Sequence, residues 1–186
     1  PPGLCFNAVS EKALEASKAS RFQHSYWSWE AMIEPNQQGY FPYTPSTNLL
    51  YGLDEALDML HAEGMDAVIQ RHGRLAHATR LAVEAWGLEN LCLNADEYSN
   101  STTAVVLPEG HDADSLRAII LERFNMSLGM GLGKVKGKVF RIGHLGDFND
   151  LMLAGTLAGV EMGLGLAAIP HNKGGVIAAM DYLASQ

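Results

Sequence analysis

The stretch Val139-Phe140-Arg141-Ile142-Gly143-His144-Leu145-Gly146-Asp147-Phe148-Asn149-Asp150 holds the side chain best suited to chemistry. Phe140 and Ile142 alternate with Arg141, so in an extended chain the guanidinium points to the face opposite the two apolar side chains. Gly143 and Gly146 bracket a turn. Asp147 is placed to cap the helix that follows, with Asp150 in its first turn, where the helix dipole favours a carboxylate. An arginine held at a strand end in this way can receive a carboxylate through two parallel N–H···O bonds, and the same fork also serves a structural ion pair. A second candidate is the loop over residues 35–46, where Pro35, Gly39, Pro42 and Pro45 stand among polar and aromatic residues. Its last part, Tyr40-Phe41-Pro42-Tyr43-Thr44-Pro45, sets aromatic rings and a hydroxyl close together. A loop of this length suits a binding contact or a rigid turn plugging a groove.

Other reactive side chains are poorly spaced for chemistry. His61, His72 and His77 fall on helical segments without a HExxH pattern, so they read as surface or core histidines, and no metal is expected. The glycine run from Gly129 to Lys134 lacks the GxxxxGK[ST] spacing of a phosphate loop. Cys5 and Cys92 lack metal-type spacing and read as reduced, buried thiols of a cytosolic protein. A formal charge of −8 over 186 residues argues against nucleic acid, whose phosphates demand a basic surface.

The elements that must position these groups follow from periodicity and caps. Ser10 caps a helix through Ala16, and Phe22, Tyr26, Trp27 and Trp29 form packing or interface surface. Leu49, Leu50, Leu53, Ala56, Leu57 and Leu60 trace a helix that Gly64 stops. A second helix runs from Asp66 to Trp86 and ends at Gly87, with Arg71, Arg74 and Arg80 as its wet face. Thr102 to Leu107 is a strand turned by Pro108-Glu109-Gly110, and Asp112 or Asp114 starts a helix through Phe124. Met126 to Leu128 reads as a short strand, and the glycine run as a hairpin-like connection into the strand of Arg141. Leu151 to Pro170 is nearly long enough to span a bilayer, but Glu161 near its middle would be costly there, so a buried core helix is expected. Gly155, Gly159 and Gly163 give it a small-residue stripe. The order of elements predicts an α/β chain with a small α+β domain, its antiparallel sheet covered by helices on one face.

Three motifs carry a resemblance: Thr44-Pro45-Ser46-Thr47-Asn48-Leu49-Leu50-Tyr51-Gly52-Leu53, Pro108-Glu109-Gly110-His111-Asp112, and Phe140 to Asp150. Together they look like serine–glyoxylate aminotransferase, within the alanine/serine–glyoxylate group of pyridoxal-phosphate enzymes of fold type I, and the match runs along the whole chain in order. The resemblance implies transfer of the amino group of L-serine or L-alanine to glyoxylate, giving glycine, with the cofactor as electron sink. It places the substrate-carboxylate arginine on Arg141. It places a contact to the cofactor phosphate of the neighbouring subunit on Thr44, which implies a homodimer. An aromatic hydroxyl a few residues earlier in relatives corresponds to Tyr40, while the closest register puts Phe41 there. The family's Schiff-base lysine falls just upstream of Pro1, and none of Lys12, Lys18, Lys134, Lys136, Lys138 or Lys173 sits in its motif. The chain is therefore expected to be the C-terminal part of such an enzyme, with residues 1–65 a remnant of the large cofactor domain and 66–186 the small domain. A non-catalytic dimerisation module derived from that enzyme is the alternative.

Overall fold

The computed structural model describes residues 3–22 and 25–186. The chain divides into two compact units, Pro1–Glu63 and Gly64–Gln186.

The first unit contains three helices, α1 (Glu11–Lys18), α2 (Trp29–Gln37) and α3 (Thr47–Glu63). Ser10 caps α1 as expected, its hydroxyl accepting from the Ala13 amide at 3.3 Å, and Ser28 does the same for α2. Periodicity did not reveal α2. It runs on through Pro35, so the loop expected from residue 35 begins only after Gln37. No residue of these three helices is fully buried, and Phe22, Tyr26 and Trp27 are exposed. Cys5 is exposed and Cys92, in the second unit, is half-buried; both are free, which corrects the expectation of buried thiols.

The second unit opens with α4 (Met65–Trp86), which ends on Gly87 in the left-handed conformation a C-terminal glycine supplies. It continues through β1 (Glu89–Asn90), β2 (Thr102–Val106), α5 (Ala113–Phe124), β3 (Gly129–Met130), β4 (Val139–Gly143), α6 (Asp150–Leu166) and α7 (Gly175–Ala184). The sheet is antiparallel throughout in the order β1-β2-β4-β3. Thr103 pairs with Ile142 and Val105 with Phe140, and this buried face meets the helices in a core that includes Leu75, Trp86, Leu116, Ile120, Leu153 and Leu157. The opposite face carries a different row, Ala104–Arg141–Gly129, across β2, β4 and β3.

Three local expectations are corrected. The strand expected at Met126–Leu128 lies at Gly129–Met130, inside the glycine run itself. Asn149, and not Asp147, caps α6, its side-chain oxygen accepting from the Met152 amide at 2.9 Å. Helix α6 buries Leu153, Leu157, Val160 and Leu164 but leaves Leu151, Met152, Met162 and Leu166 exposed, so it is a one-sided core helix. Of its glycine stripe, Gly159 meets Met126 and Gly163 meets Ile120, whereas Gly155 faces open space. No described helix is long and apolar enough to cross a membrane.

Candidate functional site

Arg141 sits in the middle of β4 on the sheet face away from the helices, as the alternation with Phe140 and Ile142 required. Its two cross-strand neighbours are Ala104 and Gly129, so a single methyl group is all that flanks it within the row. Its Nε–H donates to the Met130 carbonyl at 2.9 Å. Among the described residues no carboxylate pairs with it.

The turn that leaves β4 is held by side chains from elsewhere in the second unit. His144 is fully buried. Its Nδ1 lies 3.1 Å from the Asn100 carbonyl and its Nε2 2.9 Å from the Thr103 hydroxyl. A carbonyl can only accept, so Nδ1 carries the proton and Nε2 accepts from Thr103. Burial, more than any neighbour, pushes the imidazole down to about 4, and the positive charge of Arg80 and the nearby His72 act in the same direction. His144 is therefore neutral near pH 7.

The arginines of α4 are not a wet face. Arg71 donates through Nη1 to the carbonyls of Gly146 (2.7 Å) and Phe148 (3.1 Å). Arg74 grips Asp150 with both Nη atoms at 3.0 and 2.7 Å, the planar fork meeting a carboxylate. Arg80 is half-buried over the Tyr98 ring, 4.6 Å from its centroid. His72 donates from Nδ1 to the Val68 carbonyl at 2.7 Å and accepts the Gly146 amide on Nε2 at 3.2 Å. One face of α4 thus clamps residues 146–150 just beyond the arginine strand. Helical periodicity cannot show this, because an arginine that bonds carbonyls has the same spacing as one in water. Among the described residues no group of histidine, cysteine and carboxylate side chains could hold a metal.

Tyr40 and Thr44 share a loop of the first unit, between α2 and α3. Its start is pinned by the Asn36 side-chain amide, which donates to the Tyr40 carbonyl at 2.8 Å, and its middle by Tyr43, whose ring lies 5.1 Å from that of Tyr26. Tyr40, Phe41 and Tyr43 are exposed, as is Thr44, whose hydroxyl has no partner among the described residues. Thr44 lies three residues ahead of the amino end of α3, where unpaired N–H groups favour an anion.

No protein-family model matches the sequence. It is 49% identical over 185 residues to serine–glyoxylate aminotransferase of Arabidopsis thaliana, across 98% of this chain and 46% of that protein. It is 48% identical to serine–glyoxylate aminotransferase of Hyphomicrobium methylovorum, across 88% of this chain and 41% of that protein. The chain belongs to the serine–glyoxylate aminotransferase family. It spans about half the length of the curated relatives it matches. Its fold matches pyridoxamine–pyruvate aminotransferase from Mesorhizobium loti with a TM-score of 0.84 at 31% identity, over 95% of this chain and 46% of that one. The expected fold, a portion of an aminotransferase with a small antiparallel sheet and its helices, is thereby shown.

Each unit, taken by itself, holds one group whose chemistry suits a pyridoxal-phosphate enzyme. A free threonine hydroxyl beside a helix amino end suits one phosphate contact, and an unpaired guanidinium suits a substrate carboxylate. Among the lysines, Lys18 is engaged with Glu15 at 2.7 Å.

Proposed function

We propose that this chain supplies the substrate-binding arginine and a cofactor-phosphate contact of an aminotransferase that moves the amino group of L-serine or L-alanine to glyoxylate, giving glycine. The observation that carries this reading is Arg141: a guanidinium on an open sheet face, anchored at Nε, with no acid partner and small neighbours on both sides. Pyridoxal phosphate, when bound, supplies the electron sink that makes the amino group transferable. Arg141 binds the carboxylate that donor and acceptor have in common, so one residue serves both halves of the exchange. Holding that end fixes the other end of a small substrate relative to the cofactor, which is where an orientation effect on rate arises.

Thr44, with Tyr40 or Phe41 beside it, then contributes to the phosphate site of a neighbouring subunit in a homodimer. Residues 1–65 act as the end of the large cofactor domain together with this dimer loop, and residues 66–186 as the small domain that presents Arg141. In the complete enzyme Arg141→Ala is expected to raise KM strongly for both amino donor and glyoxylate. The loss is about 2–5 kcal/mol, because a desolvated carboxylate is left without its charged partner. Cofactor absorbance should persist. Arg141→Lys should recover only part of the loss, since an ammonium cannot present a planar fork. Unchanged kinetics for both substrates in Arg141→Ala would refute the assignment.

A further inference from the structure

We propose that Gly129 and the Met130 carbonyl are positioning elements, which aim the Arg141 guanidinium so that it takes the substrate carboxylate end-on through Nη1 and Nη2. The proposal rests on the carboxylate role of Arg141 and specifies how that role is set up.

Gly129 is the cross-strand partner of Arg141, so a side chain there would stand on the same face beside it. A Cβ added at Gly129 would lie 3.0 Å from Arg141 Cβ, 3.1 Å from Nε and 3.5 Å from Cζ. The guanidinium thus lies over the space a side chain at position 129 would fill. The backbone of Gly129 is outside the left-handed region, so nothing in its own conformation demands glycine. What the glycine makes room for is the arginine.

The Met130 carbonyl completes the arrangement. It accepts Nε–H at 2.9 Å and so occupies the donor that a side-on carboxylate would need alongside one Nη. The end of the fork, Nη1 and Nη2, remains for the substrate. The carbonyl is itself held firmly, because the next residue, Gly131, is packed against the backbone of Val135 and Val139 so closely that a Cβ has no place. The other cross-strand neighbour, Ala104, carries only a methyl group.

The test uses the complete holoenzyme as wild type, Arg141→Ala, Gly129→Ala and the double variant. It reads kcat and KM for glyoxylate, the calorimetric Kd of glycolate and thermal melting. Glycolate carries the carboxylate but has no group to transaminate. Gly129→Ala is expected to raise KM and the glycolate Kd about tenfold, while kcat moves little and the melt is retained. In the Arg141→Ala background the same substitution should add nothing. If Gly129→Ala binds glycolate as well as wild type while Arg141→Ala does not, the positioning idea is wrong and the carboxylate role stands. If Arg141→Ala itself binds glycolate normally, the carboxylate role fails and this inference with it. An equal loss from Gly129→Ala with and without Arg141 would also overturn it. A crystal structure of the wild-type holoenzyme with glycolate decides the matter even if Gly129→Ala does not fold. Carboxylate oxygens on Nη1 and Nη2 support the proposal, and an oxygen on Nε in place of the Met130 carbonyl sinks it.

Discussion

His144 shows how one buried side chain sets the pH range over which the arginine strand stays anchored. In the unfolded chain its imidazole takes a proton as pH falls through about 6.5, but in the folded chain only near 4. Between those values the unfolded state binds the extra proton. Stability is therefore fully present above about 6.5, declines as pH falls and levels off below about 4. The size is on the order of 3 kcal/mol. Urea unfolding followed from pH 7 to pH 4 should show this slope, and His144→Gln, which does not titrate, should flatten it. An equally steep profile in the variant would assign the slope to other groups. Thr44 makes a smaller, separate prediction. In the complete enzyme, Thr44→Val should weaken cofactor retention by about 1–2 kcal/mol, the scale of one hydrogen bond to a charged group. Reconstitution with pyridoxal phosphate followed by absorbance measures it. In mixed dimers the loss should follow the subunit opposite the site, and a loss confined to the variant's own site would place Thr44 in cis.

Among the elements, α6 and α7 are joined through a carboxylate that the sequence presents as an oddity in an apolar helix. Glu161 Oε2 accepts from Trp86 Nε1 at 2.7 Å and from the Val176 amide at 3.1 Å, while Oε1 accepts the Gly174 amide at 3.1 Å. Glycine at the start of α7 offers no capping side chain, so Glu161 serves as the cap from another helix. Burial works to raise its pKa, but these donors together outweigh it and leave the carboxyl below its usual range. Glu161→Ala strands an indole N–H and two helix amides and should cost about 2–3 kcal/mol, read as a lower urea midpoint. Glu161→Gln should cost less, because an amide oxygen still accepts. Equal stability of wild type and the alanine variant would contradict this account. Helix α4 was legible almost to the residue, since a 22-residue amphipathic run and a stopping glycine are local signals. The partners described above for Arg71, Arg74 and Glu161 lie 13 to 77 positions away, and no periodicity encodes them. Two-residue strands such as β1 and β3 are too short to show alternation. The alternation around Arg141 did survive, because one side of β4 is buried and the other open.

At the scale of the whole molecule the two units differ in kind. Every fully buried hydrophobic side chain among the described residues lies between Val68 and Ala179, and the three helices of the first unit bury none. Burial of apolar surface is the main stabilising term in folding, so the second unit carries the stability of this chain. It also has what an independent domain requires: a four-stranded sheet, helices on one face and a continuous core. Residues 64–186 produced alone should therefore melt in one cooperative transition, with coincident near- and far-ultraviolet circular dichroism. Removing residues 1–63 from the chain should shift that transition by only a few degrees, because the core loses none of its members. Residues 1–63 alone should show no cooperative melt. Their exposed aromatic surface, Phe6, Phe22, Tyr26, Trp27 and Tyr40 among it, should bind a hydrophobic dye and draw the unit into association. Limited proteolysis gives an independent check, since cuts should gather before Gly64 while the later segment persists. A non-cooperative melt of 64–186 would mean that the first unit contributes to the core after all.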